Sequence, residues 1–313
     1  MHSYILRAER EFFMVESRLD VMSERFPPKL IGMGYMLLWG LTFSTAMSLA
    51  KSLSPEVDSI IVLFMRYFFG LVFFSPFIMH AGIKSFVTNR PLMHMLRVMC
   101  VVLAMGCTYY AYRHLPLAMA TSIGMTGPLF TTIMSFLLLK DKVSLSKWLV
   151  IIVGYFGVIV MVRPHEMAIS IGVWVELFAN LFAAMTIVCT KVLARTERTV
   201  TIMFYTNTVT TLIAGLVVLS VWKTPALPDL LTLMGIGAMG VFSQFCSVSA
   251  LKYANPSFLA PFEYTRLCFA IPVGYVFFQE VPNMWTLLGS LIIIAATYTL
   301  TRLEISDQNL KLG

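Results

Sequence analysis

One pattern occurs twice in this chain, once in each half, and it limits the possible folds more than any other feature. Residues 113–141 run Arg113-His114-Leu115, then an apolar stretch of helix length containing Pro128, then Lys140-Asp141. Residues 252–280 run Lys252-Tyr253-Ala254, then an apolar stretch with Pro261 and Pro272, then Gln279-Glu280. Basic residue and carboxylate stand 28 positions apart in both copies, and a further apolar segment with a tryptophan near its start follows each (Trp148, Trp285). A doubled unit of this kind implies two halves that share a core. When the unit spans a membrane, such doubling is the sequence trace of the internal repeats that build secondary transporters.

The membrane reading follows from composition. Hydrophobic residues fill 58% of the 313 positions and charged residues only 12%, against roughly a quarter charged in a soluble domain. A bilayer crossing needs about 20 apolar residues. Suitable segments lie near 30–50, 58–80, 95–112, 117–139 and 145–162, and again near 170–190, 200–222, 229–251, 256–279 and 283–301. Breaks such as Arg113-His114-Leu115-Pro116 and Val281-Pro282 are short, which implies tight helical hairpins. The expected fold is an all-α integral membrane protein of ten transmembrane helices. Its expected parts are residues 1–29, a first repeat over 30–162, a second over 170–302 and a tail over 303–313.

Lysine and arginine placement predicts direction. With the N-terminus cytoplasmic, inside segments carry 17 of these residues, and outside loops carry only Lys51, Arg113, Arg163 and Lys223. Such an excess marks cytoplasmic loops, so both termini are expected inside. The net charge of +7 is then a topology signal, and no nucleic-acid partner is expected. Five helices per half is an odd number, so the second half starts on the opposite side and the repeats are expected to be inverted. In residues 1–29, Ile5, Ala8, Phe12, Val15, Leu19, Met22 and Phe26 follow a 3–4 spacing. That spacing predicts an amphipathic helix on the inner membrane surface, the alternative being an unstructured extension. The first apolar run begins near Leu30 without a small-residue cleavage site, which argues against a cleavable signal. The five cysteines (Cys100, Cys107, Cys189, Cys246, Cys268) sit in apolar stretches without CxxC pairs, so no metal site is expected.

A charge in mid-bilayer costs about 2.5–3.5 kcal/mol on insertion scales, so each needs a reason. Four are expected well inside helices: Arg66, Glu176, Glu263 and Arg266. Glu263 and Arg266 stand three apart on one face, between Pro261 and Pro272. They read as a carboxylate for a cationic group and a guanidinium for a carboxylate, or as a self-neutralised pair that only eases insertion. Proline frees backbone carbonyls, and irregular backbone is tolerated in a membrane where it lines a cavity. Glu176 and Asn180 share a face with the small Ala183 and Ala184, a mark of an inward surface. Glu176 is a candidate for a substrate amine or a coupling proton; near the outer surface it would simply be wetted. Trp39 and Tyr109 are candidate aromatic walls, for an adenine to stack on or a sulfonium to face. Tyr109 with Tyr112 also fits an interfacial aromatic belt. Gln244 and Tyr264 complete the candidate substrate-binding set.

The order Leu115-Pro116-Leu117-Ala118, Pro128-Leu129-Phe130 and Lys140-Asp141 resembles the drug/metabolite transporter superfamily. So does Tyr253-Ala254-Asn255-Pro256, Ala260-Pro261-Phe262-Glu263-Tyr264 and Phe278-Gln279-Glu280. Both copies look like the EamA-type domain, and the resemblance covers roughly residues 30–302. The chain departs from the family pattern at Asp141, where glutamate is usual. The resemblance implies transport of a small organic solute by alternating access, in a bacterial inner membrane, through a central cavity lined by both halves. It implies for Arg66 a scaffold role, paired with helix-end carbonyls or snorkelling outward. Arg163-Pro164-His165 and the stretch 260–266 look most like bacterial metabolite permeases, among which S-adenosylmethionine uptake carriers are similar in layout. An amino-acid or drug exporter, or a flippase for lipid-linked cargo, stays open.

No HExxH, GxSxG or GxxxxGK[ST] motif is present, so an enzyme and a directly ATP-driven pump are not expected. The expected partners are a small-molecule substrate and membrane lipids, with no cofactor. Small pairs such as Gly154 and Gly157 serve packing within or between monomers, so a homo-oligomer stays open.

Overall fold

The computed structural model describes residues 27–82, 86–115, 117–140, 144–162 and 171–279 and part of 284–299. Among the described residues every regular element is helical. The surface helix expected within 1–29 falls almost wholly outside them, as do Asp141 and Glu280.

The first half opens with α1 (Pro28–Lys51), α2 (Ser59–Ala81) and α3 (Pro91–His114). Local chemistry sets their ends. Proline occupies the first turn of α1 and α3, where its missing N–H costs nothing. Asp58 caps α2 by accepting from the Ile60 N–H at 2.8 Å, and Gly82, at φ 73°, ends it. The next apolar stretch is not one helix. It is α4 (Leu117–Gly124), then α5 (Gly127–Met134), continued by a π-turn over Ser135–Leu139. Pro128 in the first turn of α5 cannot donate back to α4, and the helix breaks there. A sixth helix, α6 (Leu145–Val162), closes the half.

The second half repeats the plan with α7 (Ile171–Ala194), α8 (Thr199–Val218) and α9 (Leu227–Tyr253). Its fourth stretch is again broken, into α10 (Pro256–Leu259), a 3-10 segment over Ala260–Thr265 holding Pro261, and α11 (Arg266–Phe278). Both broken stretches end alike: Lys140 (φ 56°) and Gln279 (φ 55°) take the left-handed conformation, 139 positions apart. Six helices, α1, α2, α3, α7, α8 and α9, are long and apolar enough to cross a bilayer.

Packing between the halves is reciprocal. α1 lies on α9 and α3 on α7, α2 meets α8, α5 lies on α7 and α11 on α1. Gly32 at the start of α1 abuts Ala250 and Ala254 at the end of α9, and Gly235 abuts Leu49, so these helices run antiparallel. Likewise Gly172 at the start of α7 abuts Leu115, just past the end of α3. Basic residues tie helix ends within each half. Arg113 donates to the Ser54 and Ala50 carbonyls at the end of α1 (2.9 and 3.5 Å). Lys191 donates to the Leu251 and Ala254 carbonyls at the end of α9 (2.8 Å each). Thus α1 and α3 point one way, and α7 and α9 the other.

Polarity is inverted relative to a water-soluble bundle. Leu37, Leu38 and Leu41 of α1, Phe68 and Val72 of α2, and Leu212 and Leu216 of α8 are exposed. Hydroxyls, amides and charges are buried instead, among them Ser44, Thr108, Thr206, Asn207 and Ser249. Some buried hydroxyls donate to the preceding helical turn, as Thr190 does to the Thr186 carbonyl (2.6 Å). The chain is a multi-span membrane protein, and its polar interior is where a site is to be sought. The cysteines are free: Cys100, Cys189 and Cys246 are buried, whereas Cys268 is on the apolar exterior.

Candidate functional site

The inner faces of α1, α2, α3, α5, α7, α8, α9 and the break before α11 enclose one cavity. Its volume is about 130 Å³, below the roughly 300–1,000 Å³ of drug-sized ligand sites. Five charged side chains stand on its wall: Arg66, Arg97, Glu176, Glu263 and Arg266. All five are buried.

Three of the charges gather beside α4 and α5, where two glycines leave them room. The point where a Gly124 side chain would begin is 2.6 Å from Arg266 Nη2 and 3.2 Å from Glu176 Oε1. The same point at Gly127 is 3.3 Å from Asn180 Oδ1 and 3.6 Å from Glu263 Oε2. These glycines stand 139 positions before Glu263 and Arg266, the offset that relates Lys140 to Gln279. One repeat therefore supplies the charges and the other the space for them. The Arg266 guanidinium lies 5.5 Å from the Phe43 ring centre and 5.9 Å from that of Trp39, whose rings stack at 5.2 Å. The protein's own cation occupies the aromatic wall. Arg266 Nε and Glu176 Oε2 have no hydrogen-bond partner, so each has bonding capacity left for a solute.

Backbone breaks are held from the facing half. Asn180 donates to the Ile123 carbonyl (3.1 Å) and to Thr126 Oγ1 (3.2 Å), bridging the gap between α4 and α5. Ser44 donates to the Arg266 carbonyl at the opposite break (3.0 Å). Gly40 lets α1 come close there, since a side chain would start 3.4 Å from the Arg266 nitrogen. These bonds give backbone carbonyls beside both breaks a side-chain partner from the facing half.

Seven of the candidate residues meet at this cavity: Trp39, Arg66, Glu176, Asn180, Gln244, Glu263 and Arg266. Tyr109 and Tyr264 are in the packing around it instead. Tyr109 is fully buried beside Arg66, and its neighbour Tyr112 bonds Thr121 Oγ1 at 3.3 Å, so neither belongs to an interfacial belt. Tyr264 lies against Gly154 of α6, where a side chain would start 2.9 Å from its ring. Arg66 does not snorkel. Its Cγ, Nε and Cζ lie against Gly240 of α9, its guanidinium lies 4.4 Å from the Tyr67 ring centre, and the residue lines the cavity.

Sequence reasoning missed Arg97 by assigning it to an inside loop. It is buried on α3, donating from Nε to Thr190 Oγ1 (2.7 Å) and from Nη1 to Thr206 Oγ1. The available signal was periodic: His94, Arg97, Val101, Ala104 and Thr108 keep the 3–4 spacing of one helix face, and all are buried. Lys191, counted with Arg195 and Arg198 as an inside residue, is likewise buried, in α7. Among the described residues no cluster of His, Cys, Asp and Glu could hold a metal ion.

The sequence profile of the EamA-like transporter family matches residues 30–163 and again 170–302. A protein named S-adenosylmethionine uptake transporter, from Rickettsia prowazekii, is 29% identical over 276 residues, covering 88% of this chain and 94% of that one. The pseudopaline exporter CntI of Pseudomonas aeruginosa is 26% identical over 268 residues, covering 85% and 94%. A solved crystal structure superposes with a TM-score of 0.69 at 15% identity, over 88% of this chain and 97% of its own; that likeness concerns the fold alone.

Proposed function

The chain belongs to the EamA-like transporter family, and on that premise we propose that it moves a zwitterionic or cationic amino-acid derivative such as S-adenosylmethionine across the membrane. The observation that carries the substrate class is the cavity wall, where buried carboxylates (Glu176, Glu263) and buried guanidiniums (Arg66, Arg97, Arg266) face one space. A solute bearing both signs replaces lost hydration with partners of both signs, which a neutral apolar solute cannot do. Relatives named for S-adenosylmethionine uptake, riboflavin transport and pseudopaline export differ in cargo and direction, so direction is left to experiment.

The mechanism we infer is alternating access between two inverted repeats of five helices, residues 30–162 and 170–302. The opposite courses of α1 and α3 against α7 and α9, and the reciprocal packing of the halves, support inversion. With such symmetry, one packing arrangement serves as the gate on one side and its counterpart on the other. The broken fourth stretches sit at mid-path, where Glu263 and Arg266 would meet the solute while Glu176 receives its amine or sulfonium. Both termini are proposed to be cytoplasmic in a bacterial inner membrane. Burial of the charged wall favours a solute carrier over a flippase, whose cavity has to open to lipid.

Uptake of radiolabelled S-adenosylmethionine by cells expressing the protein tests this. Saturable uptake, inhibited by close analogues and lost in Glu263→Gln, is expected. Absence of both uptake and counterflow would remove this substrate.

A further inference from the structure

The charged wall is unevenly divided. Both carboxylates lie with Arg266 beside Gly124 and Gly127. The other two cavity arginines, Arg66 and Arg97, are hydrogen-bonded to no carboxylate among the described residues. Arg97 bonds only hydroxyls, those of Thr190 and Thr206. Each hydroxyl passes its own proton to a helix carbonyl, at Thr186 and Ile202 respectively, so it is free to accept. Two of the guanidinium's nitrogens are thereby held in a fixed direction, with its remaining donors unassigned. Arg66 Nε is buried with no partner; it lies against Gly240, where a side chain would start 2.8 Å from it, and the guanidinium stands 4.4 Å from the Tyr67 ring centre. Arg66, Tyr67 and Arg97 line the same cavity.

A third donor joins them. Gln244 Oε1 accepts from Asn207 Nδ2 at 3.1 Å, and Asn207 also donates to the Met203 carbonyl at 2.8 Å. That bond leaves Gln244 Nε2 as the free atom, buried and without a partner. Two guanidiniums hydrogen-bonded to no carboxylate, and an amide donor without an acceptor, are costly in a low-dielectric interior unless something anionic arrives. Guanidiniums held by neutral hydroxyls keep their full charge for that purpose, and their planar fork matches a carboxylate.

We propose that Arg66 and Arg97, with the Nε2 of Gln244, form an anion subsite that takes the carboxylate of the carried solute. The proposal deepens the reading given above and rests on it for the identity of the solute. The solute is then bound by its two signs in two places, its cationic group by Glu176 and Glu263 and its carboxylate by Arg66 and Arg97. Compounds that have lost the carboxylate would be discriminated at this subsite.

Detergent-purified protein is titrated with S-adenosylmethionine and with its decarboxylated analogue, which keeps the sulfonium, the amine and the nucleoside. Wild type should hold the analogue about 10- to 100-fold more weakly, the worth of one or two charge-assisted hydrogen bonds. In Arg66→Gln and Arg97→Gln the parent should fall to the level of the analogue, with the analogue bound no more weakly than by wild type. Equal affinities in wild type, or a gap undiminished in both variants, overturn the proposal. If wild type binds neither compound, the choice of solute fails, and the subsite is judged with acetate and inorganic phosphate. These should raise the melting temperature of wild type and of neither variant; equal shifts, or none, overturn it. Should Arg97→Gln not fold, Arg97→Lys preserves the charge without the fork, and Arg66→Gln carries the same test.

Discussion

Adding a single methyl group at Gly124 probes the geometry on which the site depends. The new carbon would begin 2.6 Å from Arg266 Nη2, where an ordinary contact is 3.4 Å or more, so the guanidinium has to retreat by roughly 0.8 Å. On the far side it meets Trp39 and Phe43, and Glu176 Oε1 is only 3.2 Å from the added carbon, so retreat also parts the charges. Overpacking in a rigid core costs about 1–3 kcal/mol, but Arg266 Nη2 is the end of a long side chain, and yielding is the cheaper response. The expected result for Gly124→Ala is therefore a melting temperature close to wild type with solute affinity lowered about tenfold or more, one charge-assisted hydrogen bond having lost its alignment. Gly127→Ala is the internal comparison, since its methyl would start 3.3 Å from Asn180 Oδ1 and 3.6 Å from Glu263 Oε2, and it should act much more weakly. Initial uptake rates across a concentration series, in proteoliposomes matched for protein, separate KM from maximal rate. Unchanged KM together with an unchanged melting temperature in Gly124→Ala would refute the reasoning that Arg266 needs this space to meet the solute.

Further perturbations address single contacts. Glu263→Gln should abolish uptake while expression and detergent elution stay normal; a parallel loss of folded protein would mark the carboxylate as structural. Lys191→Met strips two carbonyls at the end of α9 of donors at 2.8 Å, and detergent melting should show a loss of about 2 kcal/mol. Lys140→Gly and Gln279→Gly relieve left-handed conformations at the two equivalent stretch ends, and each should raise stability by up to about 1 kcal/mol. A fall in melting temperature for both would mean that side-chain contacts at these positions outweigh backbone strain.

Legibility differed by the range of the interaction that decides each feature. The six long helices were readable because apolarity over helix length, with proline at the start, is a local property. The broken fourth stretches were partly readable: Pro128 and Pro261 announce lost hydrogen bonds. That Asn180 and Ser44 of the facing half bond backbone carbonyls beside the breaks depends on contacts 57 and 222 positions away in sequence. Arg97 shows the limit of charge counting. Six residues from Pro91, it looks like the end of a loop, and only Thr190 and Thr206, from two other helices, make a buried home for it.

By itself the sequence determined the duplication, the helical periodicity and the inversion of polarity, because each depends on residue type and spacing along one segment. It also indicated that Glu176, Glu263 and Arg266 needed a reason to lie among apolar neighbours. Tertiary structure alone decided which side chains share a space. Tyr264 and Glu263 are adjacent in the chain, yet the ring packs on Gly154 and the carboxylate lines the cavity, since a gap opposite one and glycine opposite the other set their directions. The pairing of charges in one repeat with glycines in the other is likewise invisible until the halves are packed, because the room a guanidinium needs is made by a residue that shows no chemistry of its own.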